Sequence, residues 1–265
     1  MQYYGLKELL EKLYTSYKHK FSSKDPVWIL HRFDDEKDIE ILGLITSAFS
    51  YGSVDQINLF IQTLMEKIGN KPYEFTINFQ KRKDKKYLND LYYRFNTQKD
   101  LINLFYSLNK ILIKYLSLKN LFLANYNNND ENIIPALIRF ANELNLNGKH
   151  EDSRYYHYLV SNPVNGSTCK RMNLFLRWMV RKDEIDLGIW SEIAPSKLII
   201  PVDTHVARVS KKLRLVERKS VDLKFAIELT KALKKFDPID PVRYDFALCH
   251  AGIDNKDIFK NRIAV

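Results

Sequence analysis

The chain has 265 residues, 45% of them hydrophobic and 28% charged, which suits one large soluble domain or two intimate subdomains and excludes a disordered polymer. Only 8 glycines are present, with no G-x-G-x-x-G or Walker-type loop, and two cysteines, Cys169 and Cys249, are too few for a four-thiolate metal centre or a disulfide scaffold. The formal net charge of +10 points to a polyanionic partner, nucleic acid before membrane.

Helical periodicity then runs through the chain. Leu6, Leu9, Leu10, Leu13 and Tyr17 mark one amphipathic stripe; Ile39, Leu42, Ile45 and Phe49 mark a second. Ile57, Ile61, Leu64 and Ile68 mark a third, closing at Gly69. Segment 80–86 (QKRKDKK) is a charge run, read either as a solvated loop or helix end or as a phosphate-contacting patch. Thr97 with Asp100 predicts a capped helix start ahead of Leu101, Leu104, Leu108, Ile111 and Tyr115. Residues 127–130 read as a polar loop, and Ile134, Leu137, Ile138, Ala141 and Leu144 give another helix. Turn clusters at 161–168 and 194–201 bracket a helix near 170–181. Further helices are predicted near 203–213, 221–236 and 241–251, the last with Asp240 as cap, Pro241 at its first position and an end before Gly252. No period-2 alternation and no internal repeat appear, so the fold class is all-α. The first residues carry charges through their apolar positions, unlike a signal peptide, and no run of about 18 uncharged apolar residues exists, so a cytoplasmic location is expected.

Two places carry chemistry. In Asn165, Gly166, Ser167 and Thr168, a glycine-containing hairpin meets a helix start, where free backbone N–H groups offer a seat for phosphate. Lys170 falls in the first turn of that helix and Met172, Phe175, Leu176 and Met179 anchor its inner face. The amine is a nucleophile once deprotonated; the plain alternative is a surface lysine beside a loop. At IIPVDTHVARVSKKL, Asp203 stands where an N-cap belongs, ahead of Val206, Val209 and Leu213. A capping carboxylate needs no other role, yet it is rigid and aimed past the helix end, suited to stabilising a developing cation. His205 has no His or Cys spaced to join it in a metal site, so neither a metal nor a cofactor is implied.

VDTHVARV resembles the segment that carries the catalytic aspartate in the helix-hairpin-helix DNA glycosylases of the endonuclease III superfamily, and GSTCKRMNLFLRWMVR resembles their hairpin and lysine-bearing helix. More closely, SAFSYG (47–52), CKRMNLFLRWMVRKDEIDLGIW (169–190), IIPVDTHVARVS and DPVRYDFALCHAGI (240–253) resemble a bacterial and archaeal family, the DUF2400 proteins, over nearly the whole chain.

The glycosylase resemblance implies a two-lobed helical fold: a barrel over 38–195 holding the hairpin, and a second lobe of 1–37 with 196–265. It implies Lys170 as the nucleophile at deoxyribose C1′ and Asp203 as its assistant. Asn165, Gly166, Ser167, Thr168 and Arg171 would grip the DNA backbone. Gly166 matches the first hairpin glycine, while Thr168 occupies the place of the second. Lys170 and Asp203 lie 33 positions apart, a connection as long as in the archaeal 8-oxoguanine glycosylases, and the four-cysteine cluster of many relatives is absent. Trp178 and Trp190 are candidate stacking surfaces for an extruded base, and Asp245 a candidate acceptor, with Arg243 and Tyr244 beside it; each has a plain reading as core or ion pair. Ser47, Phe49 and Tyr51 fall near the implied pocket mouth. The expected activity is that of a monomeric, nucleoid-associated DNA glycosylase and abasic-site lyase acting on 8-oxoguanine in duplex DNA. The alternative is a helix-hairpin-helix protein that holds DNA or structured RNA without cutting it.

Overall fold

A computed structural model describes residues 2–18, 25–148, 153 and 155–254. The expected second lobe therefore lies partly outside the described residues, at Met1, 19–24 and 255–265. Thirteen α-helices occur among the described residues: α1 (Gln2–Lys18), α2 (Glu36–Ala48), α3 (Val54–Lys67), α4 (Pro72–Ile77), α5 (Lys81–Asp84), α6 (Gln98–Tyr115) and α7 (Leu118–Leu123). They continue with α8 (Ile134–Asn147), α9 (Tyr156–Leu159), α10 (Lys170–Val180), α11 (Thr204–Lys212), α12 (Leu223–Lys234) and α13 (Asp245–Ile253). Short 3₁₀ turns join several of them, and no strand occurs among the described residues. The chain is all-α.

The ends of the helices follow local chemistry. Asp35, Ser53, Ser117, Asp203 and Asp222 each accept a backbone N–H at a helix start, the ordinary answer to orphan donors. Thr97 opens α6 as expected, with its own N–H bonded to Asp100 at 2.7 Å. The charge run at 80–86 is helical from Lys81 on, forming α5 and the start of a 3₁₀ turn.

The last helix departs from expectation at both ends. Its first turn, Pro241–Tyr244, is 3₁₀, and Asp240 does not cap it because its carboxylate accepts from Arg181 Nε at 2.9 and 3.0 Å instead. Gly252 lies inside α13 rather than beyond it. A Cβ there would stand 2.8 Å from the Cβ of His205, so the missing side chain is what lets α13 lie hard against α11.

Buried apolar residues form one continuous core from Leu10 to Ala251. Helix α10 runs through it. Met172, Phe175, Leu176 and Met179 are buried as the spacing predicts, but so are Arg171, Asn173, Arg177 and Trp178, so protein surrounds the helix on every side. It packs on α2, and α13 packs on both α11 and α1. Two long-range bonds tie the N-terminal helix to the last one: Tyr17 Oη donates to Asp254 at 2.9 Å and Tyr244 Oη to Glu11 at 2.5 Å. The result is that the N-termini of α10 and α11, which begin after different loops, open side by side. No helix among the described residues is long and apolar enough to cross a membrane.

Candidate functional site

The hairpin ahead of α10 is built residue by residue. Asn162 caps a 3₁₀ turn, Pro163–Asn165, and Gly166 takes φ +75°, a left-handed conformation that an L side chain would strain. Its N–H closes on Pro163 O at 2.9 Å, and its carbonyl accepts the N–H of Leu223 at 2.9 Å, joining the hairpin to the first residue of α12. Ser167 Oγ accepts Cys169 N–H at 3.2 Å, and Asn173 Nδ2 returns to Thr168 O at 2.9 Å. Thr168 Oγ1 donates to Val202 O at 3.4 Å. The residue that stands where the resemblance has a second glycine thus clasps the hairpin to the strand-like segment before Asp203. Cys169 itself is left-handed, at φ 48°, immediately before Lys170. Asn165, Gly166 and Ser167 are exposed, and Thr168 is half-buried.

Lys170 and Asp203 meet across this junction. Lys170 Nζ stands 3.9 Å from Asp203 Oδ2, with the lysine side chain 34% exposed and the carboxylate 17% exposed. Asp203 Oδ1 is committed to the N–H of Val206 at 2.7 Å, the expected cap. Its Oδ2 also accepts from Cys249 Sγ at 3.3 Å. Burial pushes the Cys249 thiol well above its ordinary range, helped by the charges of Asp203 and Asp245, so it stays protonated and acts as a weak donor. Cys249 follows Asp245 by one helical turn, and both face the Asp203 end of α11. Burial first, then repulsion from Asp203, raises the Asp245 carboxyl to about 6 although Arg177 beside it opposes the shift. Burial lowers His250 in turn.

The other expected site residues lie elsewhere. Arg171 is turned inward rather than toward the exposed hairpin. Its guanidinium is buried, donating to Ala48 O at 3.0 Å and to Tyr158 O, because α10 is covered on that side by the end of α2 and by α9. The rings offered as stacking surfaces are interior: Trp178, Trp190 and Phe49 expose 1%, 0% and 0%. Trp190 Nε1 donates to Glu40 at 2.9 Å and its ring packs on Phe122 and Phe175, while Phe49 packs on Phe60 and Tyr93. Their faces are covered by protein, so none can receive a base in this conformation. Asp245 accepts from Arg177, which spends one of its oxygens inside the protein. Arg243 pairs with Asp237 and Glu11, and Tyr244 is buried.

Sequence reasoning missed Cys249 and the charge network behind Asp245. Arg177 binds Asp186 and Asp245; Arg181 binds Asp183, Asp186 and Asp240. The one available signal was spacing. Asp240, Asp245 and Cys249 share one short motif with Gly252, and Arg177 in the last turn of α10 is followed four positions on by Arg181, just past its end. Among the described residues no cluster of three or more His, Cys, Asp or Glu side chains is gathered as metal ligands.

What these elements define is an all-helical protein in which two helix N-termini present a lysine and an aspartate to a common, partly open face. The chain belongs to the DUF2400 family, described as proteins of unknown function, whose pattern matches residues 25–254. No curated protein and no solved structure matches it.

Proposed function

We propose that this protein is a DNA glycosylase with abasic-site lyase activity, built on the two-lobed helix-hairpin-helix plan with 38–195 as the barrel lobe and 1–37 plus 196–265 as the second. The observation that carries the reading is the Lys170–Asp203 pair, 3.9 Å apart and partly exposed at paired helix starts beside a glycine hairpin. The hairpin residues 165–168 and the net charge of +10 favour a phosphate backbone there. The damaged nucleotide is extruded from duplex DNA toward the pair. Asp203 Oδ2 takes a proton from the Lys170 ammonium, and the neutral Nζ attacks C1′ of the sugar. The glycosidic bond breaks, its electron pair leaving with the base together with the proton that Asp203 had taken, and the carboxylate so re-ionised steadies the positive charge on the sugar. Ring opening then yields the Lys170 Schiff base from which strand cleavage proceeds. Cys249 and the Val206 N–H hold the carboxylate in place.

The substrate proposed is 8-oxoguanine in duplex DNA, motivated by the 33-position connection between Lys170 and Asp203. A monomer working at the nucleoid is the corresponding cellular picture. Recognition of the N7–H of that base needs a buried acceptor; the carbonyls ahead of Pro201 are better candidates than Asp245, whose carboxylate faces Arg177.

The test is borohydride trapping on duplexes containing 8-oxoguanine or an abasic site. The parent should leave a covalent adduct, and Lys170→Gln should leave none while retaining DNA affinity. Adduct formation by Lys170→Gln at the parental rate would move the nucleophile elsewhere. A parent that binds DNA but never traps would identify a protein that holds nucleic acid without cutting it.

A further inference from the structure

Beside the first turn of α10, four aromatic rings from three separate segments converge. Tyr51, after α2, stacks on Phe95 from the turn before α6 at 5.4 Å and 22°. Phe95 meets Tyr155 at 4.9 Å and Tyr158 at 4.8 Å, and Tyr158 meets Tyr51 edge-on at 5.0 Å. The cluster is not closed core. Tyr155 and Tyr158 are 37% and 42% exposed. Its foundation is firm: Tyr51 Oη donates to Asn96, and Tyr93 Oη donates to the carbonyl of Tyr51.

Cations frame these rings. The exposed Arg94 lies over Tyr51 at 6.0 Å, and the buried Arg171 guanidinium lies 3.9 Å from the centre of the Tyr158 ring. Arg171 directly follows Lys170, so the rings adjoin the lysine–aspartate junction. Leading into Phe95 is the segment 81–94, which carries Lys81, Arg82, Lys83, Lys85, Lys86 and Arg94 against only Asp84 and Asp90.

We propose that these rings form a shelf on which unpaired bases of a single-stranded stretch of nucleic acid stack. The choice of occupant follows from the two kinds of group present. The exposed parts of Tyr155 and Tyr158 match the flat faces of bases, and the exposed Arg94 with the basic segment behind it matches the phosphates that accompany each base. In an intact duplex the base faces are covered by their neighbours, so rings of this kind gain nothing from it. A purely apolar ligand would have no use for Arg94 and the exposed cations behind it. The inference rests on the nucleic-acid part of the function proposed above but is independent of its chemistry, and it makes an opened strand beside Lys170 the preferred ligand.

Affinity should be measured by fluorescence anisotropy for three probes: a short oligothymidylate, a strand of equal length made wholly of abasic residues, and a blunt duplex. The parent should bind the oligothymidylate roughly tenfold or more tightly than the abasic strand, which has the phosphates without the bases. Tyr155→Ala combined with Tyr158→Leu should bring the oligothymidylate down to the abasic level and leave the other two probes unchanged. Tyr158→Phe retains the ring and should bind like the parent, and Tyr155→Ala alone, at an exposed position, should show an intermediate loss. Equal parental affinity for the two strands, or oligothymidylate binding that survives loss of both rings, would overturn the shelf while nucleic-acid binding stands. Failure of the parent to bind any of the three would overturn nucleic-acid binding itself and the shelf with it.

Discussion

Helix α10 has two chemically different ends. At its start Lys170 faces one carboxylate across 3.9 Å, with both partners reached by water. At its far end Arg177 and Arg181 face Asp183, Asp186, Asp240 and Asp245, with both arginines and Asp186 fully withdrawn from solvent. The far end uses planar guanidiniums, which bind several carboxylates at once; the near end uses a single ammonium, a compact point charge facing one carboxylate. The difference separates what holds this helix from what it presents. The buried end fixes α10 to the 183–186 turn and to α13, and the open end leaves its lysine and the facing carboxylate within reach of solvent.

That contrast can be broken most forcefully at Arg177. Arg177→Ala strands Asp245 in the interior and leaves Asp186 with Arg181 alone, and it should cost about 3–5 kcal/mol, whereas Lys170→Ala should change stability by no more than about 0.5 kcal/mol. Urea unfolding of the two variants checks this; similar losses would mean that the two ends do not divide the work.

A smaller effect should appear with pH. The Asp245 carboxyl is raised to about 6, so the folded protein holds that proton more tightly than the unfolded chain does. Its contribution to stability is complete below the ordinary carboxylate range and is lost as pH rises from about 4 through about 6, amounting to roughly 2–3 kcal/mol. Asp245→Asn cannot lose a proton there, and its melting temperature should fall less between pH 4 and 7 than the parent's. Parallel melting profiles would show that Arg177 fully compensates the ionised carboxylate.

The smallest effect concerns the other carboxylate. Asp203→Asn should retain the α11 cap and stay within a few tenths of a kcal/mol of the parent, and Asp203→Ala should cost about 1 kcal/mol. Both should lose most of any turnover. A fully active Asn variant would reduce Asp203 to a cap.

The longer helices were legible because they bury stripes that recur at helical spacing, and the Asp203 cap because a carboxylate precedes such a stripe; the short α4, α5, α7 and α9 carry no such signal, and α5 buries no residue. The surroundings of α10 were not. Its expected inner face, Met172 to Met179, is correct, but periodicity describes one face at a time and cannot announce that Arg171 and Arg177 on the others are covered as well. Charged residues on those faces read as solvent-facing or phosphate-binding, and only the fold brings in the carbonyls of Ala48 and Tyr158 that absorb Arg171. Trp190 was ambiguous for the same reason. Its partner Glu40 is 150 positions away, and no local pattern links them. The Lys170–Asp203 pairing was legible through resemblance, and Cys249 was not, since a lone cysteine carries no signal until its neighbour is known.

The pinning of Trp190 bears on how ready the site is before a ligand arrives. Between Lys170 and Asp203 the chain is tethered at Arg181 by the aspartates, at Trp190 by Glu40, and at Val202 by Thr168. Glu40 also accepts the N–H groups of Leu118 and Lys119, at 2.8 and 3.2 Å, so the tether at Trp190 is itself braced by a third segment. A free connection of this length would let the amine and the carboxylate wander, and each encounter would have to recover the lost freedom. Here that entropy is surrendered during folding. The two groups are therefore held as one preassembled unit before any ligand arrives, with a high effective concentration for each other.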